Sequence, residues 1–360
     1  MPPPRRPVQA ENHLPAGGAA RWLADVPIEQ FDPLADSARL QVCYEIFEAS
    51  QRADDPAAPP QSLAGFRNWW GYGYDGGEPR QAWLAADERG PAGCYLLELA
   101  ERENAALGSA ALSVPPPRRR QGIGTALLAH CRGQARAAGR TELFAMAPVG
   151  SAGEAFARAA GATGGLIEVR RALRTARLAP ERLASLRAEA ERRAAGYSLL
   201  SWTGPTPDEQ LDQVARLNDV MADAPREATI EAARWDRDRV RASEARMGAP
   251  GSRLYAMAAR HDESGDLAAL SQVIVEPDLP GVAFQAITAV DRPHRGHRLG
   301  LLVKAAMHQW LAAAEPGLRE VSTWNSETNE HMIAINERLG FEVNGRFQSW
   351  TLSIPGPPQS

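Results

Sequence analysis

The chain has 360 residues, of which 44% are hydrophobic and 23% charged, and this size and composition predict a globular protein of about two domains. The 40 Lys and Arg against 44 Asp and Glu give a net charge of −4, which argues against a dedicated surface for nucleic acid or for an anionic membrane. No apolar run approaches the roughly 18 to 20 residues of a membrane span, and the first residues lack the apolar core of a signal peptide. We therefore expect a cytoplasmic protein.

The cysteines predict neither a disulfide framework nor a metal site. Cys43, Cys94 and Cys131 are odd in number and show no C-x-x-C spacing. The sequence also lacks H-E-x-x-H and G-x-S-x-G, so neither a zinc hydrolase nor a serine hydrolase is indicated. We expect no metal, and we expect the three cysteines to be small buried hydrophobic residues.

Two stretches of similar length share one order of elements. Residues 1–20 are rich in Pro, Ala and Gly and predict a flexible tail. Residues 178–195 form a charged helical pattern with few large apolar residues, typical of a linker. The pattern therefore predicts an N-terminal domain over residues 21–177, the linker, and a C-terminal domain over residues 196–360.

Each half reads as strand, basic glycine loop, helix, strand, helix, strand. In the first half the strand Ala105–Val114 leads through PPPRRRQGIG into the helix TALLAHCRGQARAAGR, and then come ELFAMAPV, SAGEAFARAAG and LIEVRRALR. In the second half GVAFQAITAV leads through DRPHRGHRLG into LLVKAAMHQWLAAAEPG, followed by REVSTWN, NEHMIAINERLG and FEVNGRFQSWTLSI. Such a repeat at a domain's length predicts a duplicated α/β unit, and no short solenoid repeat.

The first glycine loop is a candidate phosphate site. Arg119, Arg120, Gln121, Gly122, Ile123 and Gly124 stand between a predicted strand and a predicted helix, where backbone N–H groups at a helix start can cradle a phosphate. The loop matches neither the P-loop nor G-x-G-x-x-G, which disfavours ATP and dinucleotides. An alternative interpretation explains this loop sequence equally well: its glycines only allow the chain to turn tightly from a strand into a helix.

In this setting R-x-x-G-x-G resembles the loop of the GNAT (Gcn5-related N-acetyltransferase) superfamily that binds the pyrophosphate of acetyl-CoA. VDRPHRGHRLGLLVK takes the same place in the second half, and TWNSETNEHMIAINERLGF looks like the family's next strand and helix with its Leu-Gly-Phe. Together the halves resemble the tandem GNAT proteins of actinobacteria, a group that includes mycothiol synthase. The resemblance implies two tandem GNAT folds, each a mixed central β-sheet flanked by helices, and acetyl-CoA as acyl donor.

The resemblance also implies cofactor-binding positions. Val114 and Val290 would end the strands whose backbone amide polarises the thioester carbonyl. The pyrophosphate would lie in the first loop and in its counterpart, Arg295, Gly296, His297, Arg298, Leu299 and Gly300. Arg298 stands where a glycine is expected. An arginine with a negative φ would fit there and would add a phosphate contact, and a weakened site is an equally good interpretation. Asn325 and Asn329 would contact the cofactor, although Asn329 is also a good helix N-cap.

Acetyl transfer to an amine needs a neutral nucleophile and a proton for the leaving thiolate. Many GNAT enzymes supply that proton from a Tyr shortly before the Leu-Gly-Phe, but here the position holds Asn336 in the second half and Ala157 in the first. Asn336 can donate a hydrogen bond but is no acid, and Ala157 can donate nothing. The missing Tyr supports an alternative function, a non-catalytic acyl-CoA-binding or scaffolding protein.

Candidates for the general base are carboxylates before the glycine loops. In the second half Glu276 is the leading candidate for the general base and Asp278 is the next. A solvated carboxylate at the start of a turn is an alternative interpretation of Glu276. Glu98, Glu101 and Glu103 compete in the first half.

The acceptor is expected near two further segments in each half. Acids in the loops Met221–Arg226 and Ala53–Pro56 would hold an ammonium group, or would mark ordinary turns. The aromatic cluster Trp69–Tyr74 would form a ligand wall, or would pack a long loop on the core. His294 and His297 are interpreted as loop donors.

Our leading prediction is an N-acetyltransferase in which the primary amine of a small molecule attacks the thioester directly, with the second half catalytic. The acceptor and acetyl-CoA are its expected partners, nucleic acid and membrane are not, and the protein is expected to be a monomer or homodimer.

Overall fold

All twelve strands of the protein form one mixed sheet in a computed structural model, which describes residues 26–73, 80–227, 230–247 and 251–355. The predicted tail and Tyr74 lie outside these ranges. The strands are β1 (Ile28–Phe31), β2 (Arg80–Asp87), β3 (Gly90–Leu99), β4 (Leu107–Ser113), β5 (Glu142–Pro148), β6 (Thr163–Arg174), β7 (Tyr197–Thr203), β8 (Arg253–His261), β9 (Leu267–Val275), β10 (Val282–Val290), β11 (Glu320–Ser326) and β12 (Glu342–Ser353).

Nine α-helices lie within the described residues and cover both faces of the sheet. They are α1 (Ser37–Asp54), α2 (Leu63–Tyr72), α3 (Ile123–Ala137), α4 (Ala152–Ala159), α5 (Pro180–Glu191), α6 (Leu211–Asp219), α7 (Arg237–Met247), α8 (Leu299–Ala314) and α9 (Glu330–Leu339). We call β1 to β6 with α1 to α4 the first unit, and β7 to β12 with α6 to α9 the second unit. The strands and helices predicted around both glycine loops are present, and α5 lies within the predicted linker.

Local chemistry sets the ends of the predicted helices. The Ser151 hydroxyl accepts from the Glu154 amide at the start of α4, and the Asn329 side chain accepts from the Met332 amide at the start of α9. Gly340 ends α9 at φ +95°, a conformation that residues with a Cβ rarely adopt.

The two units exchange their last strands. Strand order across the sheet is β1-β2-β3-β4-β5-β12-β6-β11-β10-β9-β8-β7. Strand β12 lies between β5 and β6 and is antiparallel to both, while β6 is antiparallel to β11 on its other side. The last strand of each unit is therefore hydrogen-bonded to the fifth strand of the other unit, and a pseudo-twofold axis passes between β6 and β12.

The helices divide between two faces of the sheet. On the face that we call the front, α3 packs on the first unit and α8 on the second. On the other, the back face, α1 and α2 pack on the first unit while α6 and α7 pack on the second. Each face therefore has an apolar core in each unit. All three cysteines are buried and free, as expected, and no helix in the described ranges is long and apolar enough to cross a membrane.

A gap opens in the sheet within each unit, between its only pair of parallel neighbouring strands. Strands β4 and β5 are paired over Leu107–Ser109 with Glu142–Phe144, and β10 and β11 over Val282–Phe284 with Glu320–Ser322. Beyond these residues the two strands of each pair diverge, although their outer edges stay bonded to β3, β12, β9 and β6. The backbone groups that face each gap are therefore open to a ligand.

Candidate functional site

Each gap leads to a glycine loop, and the two loops share one unusual backbone shape. The first loop has left-handed residues at Arg120 (φ +61°) and Gly122 (φ +84°), and the second at Gly296 (φ +91°) and Arg298 (φ +57°). Glycine and arginine have thus changed places between equivalent positions. Arg298 does not have the negative φ at which an arginine would fit without strain: the residue is left-handed, which costs about 1 kcal/mol for a side chain with a Cβ.

Helix starts lie directly behind the loops. Side chains of Ile123 and Leu299, the first helical residues, are buried in the front cores, so only their backbone N–H groups are left for a ligand. No described side chain caps α3 or α8 by a hydrogen bond. Two free N–H clusters with the positive end of a helix dipole therefore stand at the mouths of the gaps.

The second glycine of each loop packs against the last helix of its unit. A Cβ at Gly124 would lie 3.4 Å from the Phe156 ring of α4, and one at Gly300 would lie 3.1 Å from Cδ1 of Ile335 in α9. These contacts align Phe156 with Ile335, and hence Ala157 with Asn336. At Gly300 the Ile335 side chain would have to shift slightly to admit a Cβ, whereas the distance at Gly124 is an ordinary van der Waals contact.

The first arginine of each loop ties the loop to the strand before it. The Arg119 guanidinium makes two hydrogen bonds to Asp54, at 2.8 and 2.7 Å, and its Nε donates to the Val114 carbonyl at 3.0 Å. Asp54 belongs to the predicted acceptor loop of the first unit. Its carboxylate therefore holds a protein cation.

The second unit repeats this arrangement. Arg295 and Arg292 both pair with Asp223, and Arg295 Nε donates to the Val290 carbonyl at 3.4 Å. Hydrogen bonds from the two guanidinium groups hold the pKa of Asp223 well below its usual range. In both units the aspartate of the predicted acceptor loop thus positions the glycine loop.

Several other polar side chains of the loops also have partners. Gln121 accepts from Arg89 at 3.0 Å, and Arg298 pairs with Glu189 of α5. The Tyr197 hydroxyl and His294 Nδ1 share a hydrogen bond of 2.9 Å, and the His297 ring lies 5.3 Å from the Tyr197 ring.

Behind the second gap, three polar side chains form a chain of hydrogen bonds. Lys304 Nζ of α8 donates to Asn336 Oδ1 at 2.8 Å, and Asn336 Nδ2 of α9 donates to Asn325 Oδ1 of β11 at 2.7 Å. With Lys304 donating to Asn336 Oδ1, Asn336 Nδ2 donates in turn to Asn325 Oδ1, so the chain runs from Lys304 outward. The chain ends at the Asn325 amide, whose Nδ2 still has N–H groups to donate.

Lys304 is the only lysine in the sequence and is fully buried, at 0% exposure. Its Nζ lies 4.8 Å from the centre of the Phe341 ring. Burial lowers the pKa of Lys304 from 10.5 to about 7, and burial together with Lys304 lowers the pKa of the neighbouring His308 from 6.5 to about 3. His308 is therefore neutral near pH 7.

The first unit has no such chain at the equivalent positions. Leu128 takes the place of Lys304 in α3, Ala147 that of Asn325 in β5, and Ala157 that of Asn336. Asn336 itself is completely buried, so it lies behind Asn325 and does not line the gap.

The leading base candidate lies at a contact between the units. Glu276 Oε2 accepts from the Ser62 hydroxyl, the N-cap of α2, at 2.6 Å. Burial, and to a smaller extent Asp278, raise the pKa of Glu276, while the Ser62 hydrogen bond opposes this. The carboxylate of the second unit is thus covered by a helix of the first.

A reciprocal contact holds the candidates of the first unit. Glu103 accepts from the Arg234 amide at 2.8 Å and pairs with Arg239 of α7 at 2.9 Å. These hydrogen bonds outweigh desolvation and lower the pKa of Glu103. Glu98 pairs with Arg80 of β2, and Glu101 also has an interaction partner.

Trp69 and Trp70 of the aromatic cluster pack the core of the first unit. Trp70 is 1% exposed, and its ring lies 4.8 Å from that of Phe66. Trp69 contacts the rings of both residues and of Phe47. The packing interpretation therefore explains Trp69 and Trp70.

Sequence reasoning missed two residues near the second gap. The sequence does single out Lys304 as the only lysine, but its contacts depend on how α8 packs on α9. Glu168 of β6 lies in the first half of the chain and stands beside β11 only because the strands are exchanged. No cluster of metal-ligating side chains occurs among the described residues.

The chain and its fold are similar to those of known acetyltransferases. Residues 78–160 match a family model described as the acetyltransferase (GNAT) domain. A tandem GNAT protein from the clavulanic acid biosynthesis pathway, solved without AcCoA, is similar with a TM-score of 0.76 and 29% identity, over 93% of this chain and 100% of that one. No curated protein shows significant similarity to the chain.

Two more distant structures share the fold. A GCN5-related N-acetyltransferase from Sphaerobacter thermophilus has a TM-score of 0.63 at 16% identity, covering 93% of this chain and 98% of that one. A glucosamine N-acetyltransferase region of a fungal multi-domain β-N-acetylglucosaminidase has a TM-score of 0.62 at 12% identity, covering 91% of this chain and 38% of that one.

Proposed function

The chain has a tandem GNAT fold, and we propose that it is an acetyl-CoA-dependent N-acyltransferase whose chemistry takes place in the second unit. One observation carries the proposal: a gap between diverging parallel strands ends at an uncapped helix start behind a loop with two left-handed residues. The matched GNAT domain in the first unit implies acyl transfer from an acyl-CoA, and the second unit repeats its geometry.

An acyl-CoA has the chemistry that this gap can bind. Its pyrophosphate would accept hydrogen bonds from the backbone N–H groups before α8, where the helix dipole favours an anion. Its pantetheine arm carries amides that can pair with the open edge of β10. The thioester would then lie near Val290, and the Asn325 Nδ2 would be a donor on the opposite side of the gap.

The reaction needs no covalent intermediate on the protein. The acceptor nitrogen, once neutral, attacks the thioester carbon, and the thiolate leaves with a proton. Lys304, Asn336 and Asn325 support the choice of the second unit, because they place a side-chain donor beside the gap where the first unit has only apolar side chains.

The same comparison favours a different function for the first unit. With Leu128, Ala147 and Ala157 in place of the polar chain, it offers a phosphate loop without a side-chain donor beside the thioester. We assign it the binding of an acyl-CoA without chemistry.

The acceptor is proposed to be the primary amine of a small molecule, as in the mycothiol synthase group that the sequence resembles. The protein is proposed to work in the cytoplasm as a monomer or homodimer, with domain boundaries at 21–177 and 196–360 around the linker.

Calorimetric titration with acetyl-CoA tests the two loops separately. Gln121 and His297 occupy equivalent positions, so Gln121→Glu and His297→Glu each place one negative charge beside one expected phosphate. Gln121 and Glu are isosteric, and His297→Gln is the matched neutral control for the second loop. We expect wild type and His297→Gln to bind two acetyl-CoA, and each Glu variant to lose one site.

Loss of the second site in His297→Glu should also abolish thiol release from acetyl-CoA in the presence of amines, whereas Gln121→Glu should retain it. Wild type that binds no acetyl-CoA would refute the proposal. Turnover abolished by Gln121→Glu alone would move the chemistry to the first unit.

A further inference from the structure

The exchanged strand β6 brings a carboxylate of the first unit to the gap of the second. Glu168 pairs in register with Ser326, the last residue of β11, where β11 has separated from β10. Because Trp324 pairs with Arg170 in the same regular register, Glu168, Arg170, Trp324 and Ser326 all face the back of the sheet. Cofactor-loop residues and α8 lie on the front, so Glu168 stands on the side from which an acceptor could approach.

An aromatic wall stands next to this carboxylate. The rings of Phe284 on β10 and Trp324 on β11 are stacked, with centroids 6.2 Å apart and planes 25° apart, across the narrow end of the gap. Trp324 is 39% exposed, which is unusual for a tryptophan in the middle of a sheet. A half-buried carboxylate beside an exposed aromatic face suits a ligand with an ammonium group and an apolar portion.

Glu168 differs from the other carboxylates considered on the back face. Asp54, Asp223, Glu98 and Glu103 are in ion pairs, and Glu276 accepts from Ser62. Within the described part of the chain Glu168 has no hydrogen-bond or ion-pair partner, and burial raises its pKa.

Charged groups around Glu168 are already neutralised or bound. Arg170, two residues along β6, is 2% exposed and makes two hydrogen bonds to Asp55 of the loop after α1. Glu227, from the loop after α6, accepts from the Leu166 amide and from Ser349 of β12. Of these carboxylates, Glu168 is therefore the one that has no partner among the described residues.

The first unit lacks this group. At its gap, Pro148 takes the place of Ser326, and its register partner on the exchanged strand β12 is Phe347. Phe347 is thus the pseudo-symmetric counterpart of Glu168. The two units differ in a titratable group on the back of the gap, as they differ in the polar chain on the front.

We propose that Glu168, on the exchanged strand β6 of the first unit, is the general base of the second unit. It takes a proton from an acceptor ammonium group held against Trp324. This inference rests on the proposed function. The neutral nitrogen then forms the C–N bond as the C–S bond breaks. Its second proton goes to the leaving thiolate, and the proton on Glu168 is released to water.

The test compares Glu168→Gln with Glu276→Gln, an isosteric change at the competing carboxylate. Thiol release from acetyl-CoA is measured with glucosamine, spermidine and glycinamide as acceptor probes, across pH 5 to 9. We expect Glu168→Gln to lower kcat at least about 100-fold, with the KM for acetyl-CoA unchanged and the acid limb of the pH profile lost. Glu168→Asp should recover part of kcat, and Glu276→Gln should retain the wild-type profile.

A wild-type kcat in Glu168→Gln, or loss of kcat in Glu276→Gln instead, would overturn the inference and leave the proposed function standing. An unchanged pH profile with a raised KM for acetyl-CoA would assign Glu168 a structural role and would equally overturn it. Wild type that binds acetyl-CoA but releases no thiol with any probe would refute the proposed function itself, and the inference with it.

Discussion

Replacing the buried lysine with an isosteric apolar side chain should make the protein more stable, by an amount that depends on pH. Lys304 is fully buried, and burial lowers its pKa from 10.5 to about 7. That difference corresponds to about 5 kcal/mol of unfavourable free energy for the charged form in the folded state. Lys304→Met removes this cost but leaves Asn336 Oδ1 without its donor, which costs about 1 to 3 kcal/mol.

The sign of the pH dependence follows from proton binding. Below pH 7 the folded and unfolded chains both carry the proton on Lys304, so the full cost is present in wild type. Between pH 7 and 10.5 only the unfolded chain keeps it, so wild type gains stability with rising pH at this group. At pH 9 the remaining cost is about 2 kcal/mol. Lys304→Met should therefore be more stable by about 2 kcal/mol at pH 6, and no more stable than wild type at pH 9.

Guanidinium unfolding at pH 6, 7.5 and 9 measures this difference directly. Leu128→Met, the equivalent position in the first unit, is the matched control and should show the same small effect at each pH. Selective ¹⁵N labelling of lysine adds a second readout, because the chain's single lysine gives one side-chain signal. A stability difference independent of pH, together with a lysine signal that titrates above pH 10, would refute the reasoning.

Two further predictions concern the contact between the units and the loop backbone. Glu103→Gln should lower the free energy of unfolding by about 2 kcal/mol, because it removes the carboxylate that pairs with the buried Arg239 guanidinium, which is 4% exposed; Glu342→Gln, whose partner Arg177 is exposed, should change it by less than about 0.5 kcal/mol. Equal effects in chemical unfolding would contradict this. Arg120→Gly should raise the free energy of unfolding by about 1 kcal/mol, since it relieves a left-handed conformation at φ +61°, and destabilisation would show that the arginine makes a compensating contact.

Elements around the glycine loops could be predicted from the sequence because their signals are local. Hydrophobic periodicity located α3 and α8, and Asn329 and Gly340 marked the ends of α9 as capping chemistry requires. The duplication was visible because both halves repeat one order of elements. The assignments of the loop residues to a cofactor stay predictions.

Non-local features could not be predicted in the same way. Exchange of β6 and β12 leaves no sign in either strand, because an antiparallel neighbour has the same periodicity whichever unit supplies it. The partners of Glu276 and Glu103, each on a helix of the other unit, follow from that exchange. The positive φ of Arg298 could not be predicted from the sequence, because residues with a Cβ favour negative φ. It is understood only by comparing the two glycine loops, since both have left-handed residues at the same two positions.

Strand exchange gives a physical reason for the two units to depend on each other even where only one performs chemistry. Strand β11, one side of the second gap, is bonded along its other edge to β6 of the first unit, and the carboxylate of Glu276 is covered by the N-terminus of α2. Withdrawing the first unit would therefore expose the edge of β11 and leave Glu276 without Ser62, while Glu168 would be lost altogether. On our proposal the first unit contributes a catalytic group to the second site, so loss of acid–base chemistry in its own gap would not release its sequence from functional constraint. A substitution confined to the first half, at Glu168, is therefore the change that most directly connects the exchanged topology to activity in the second half.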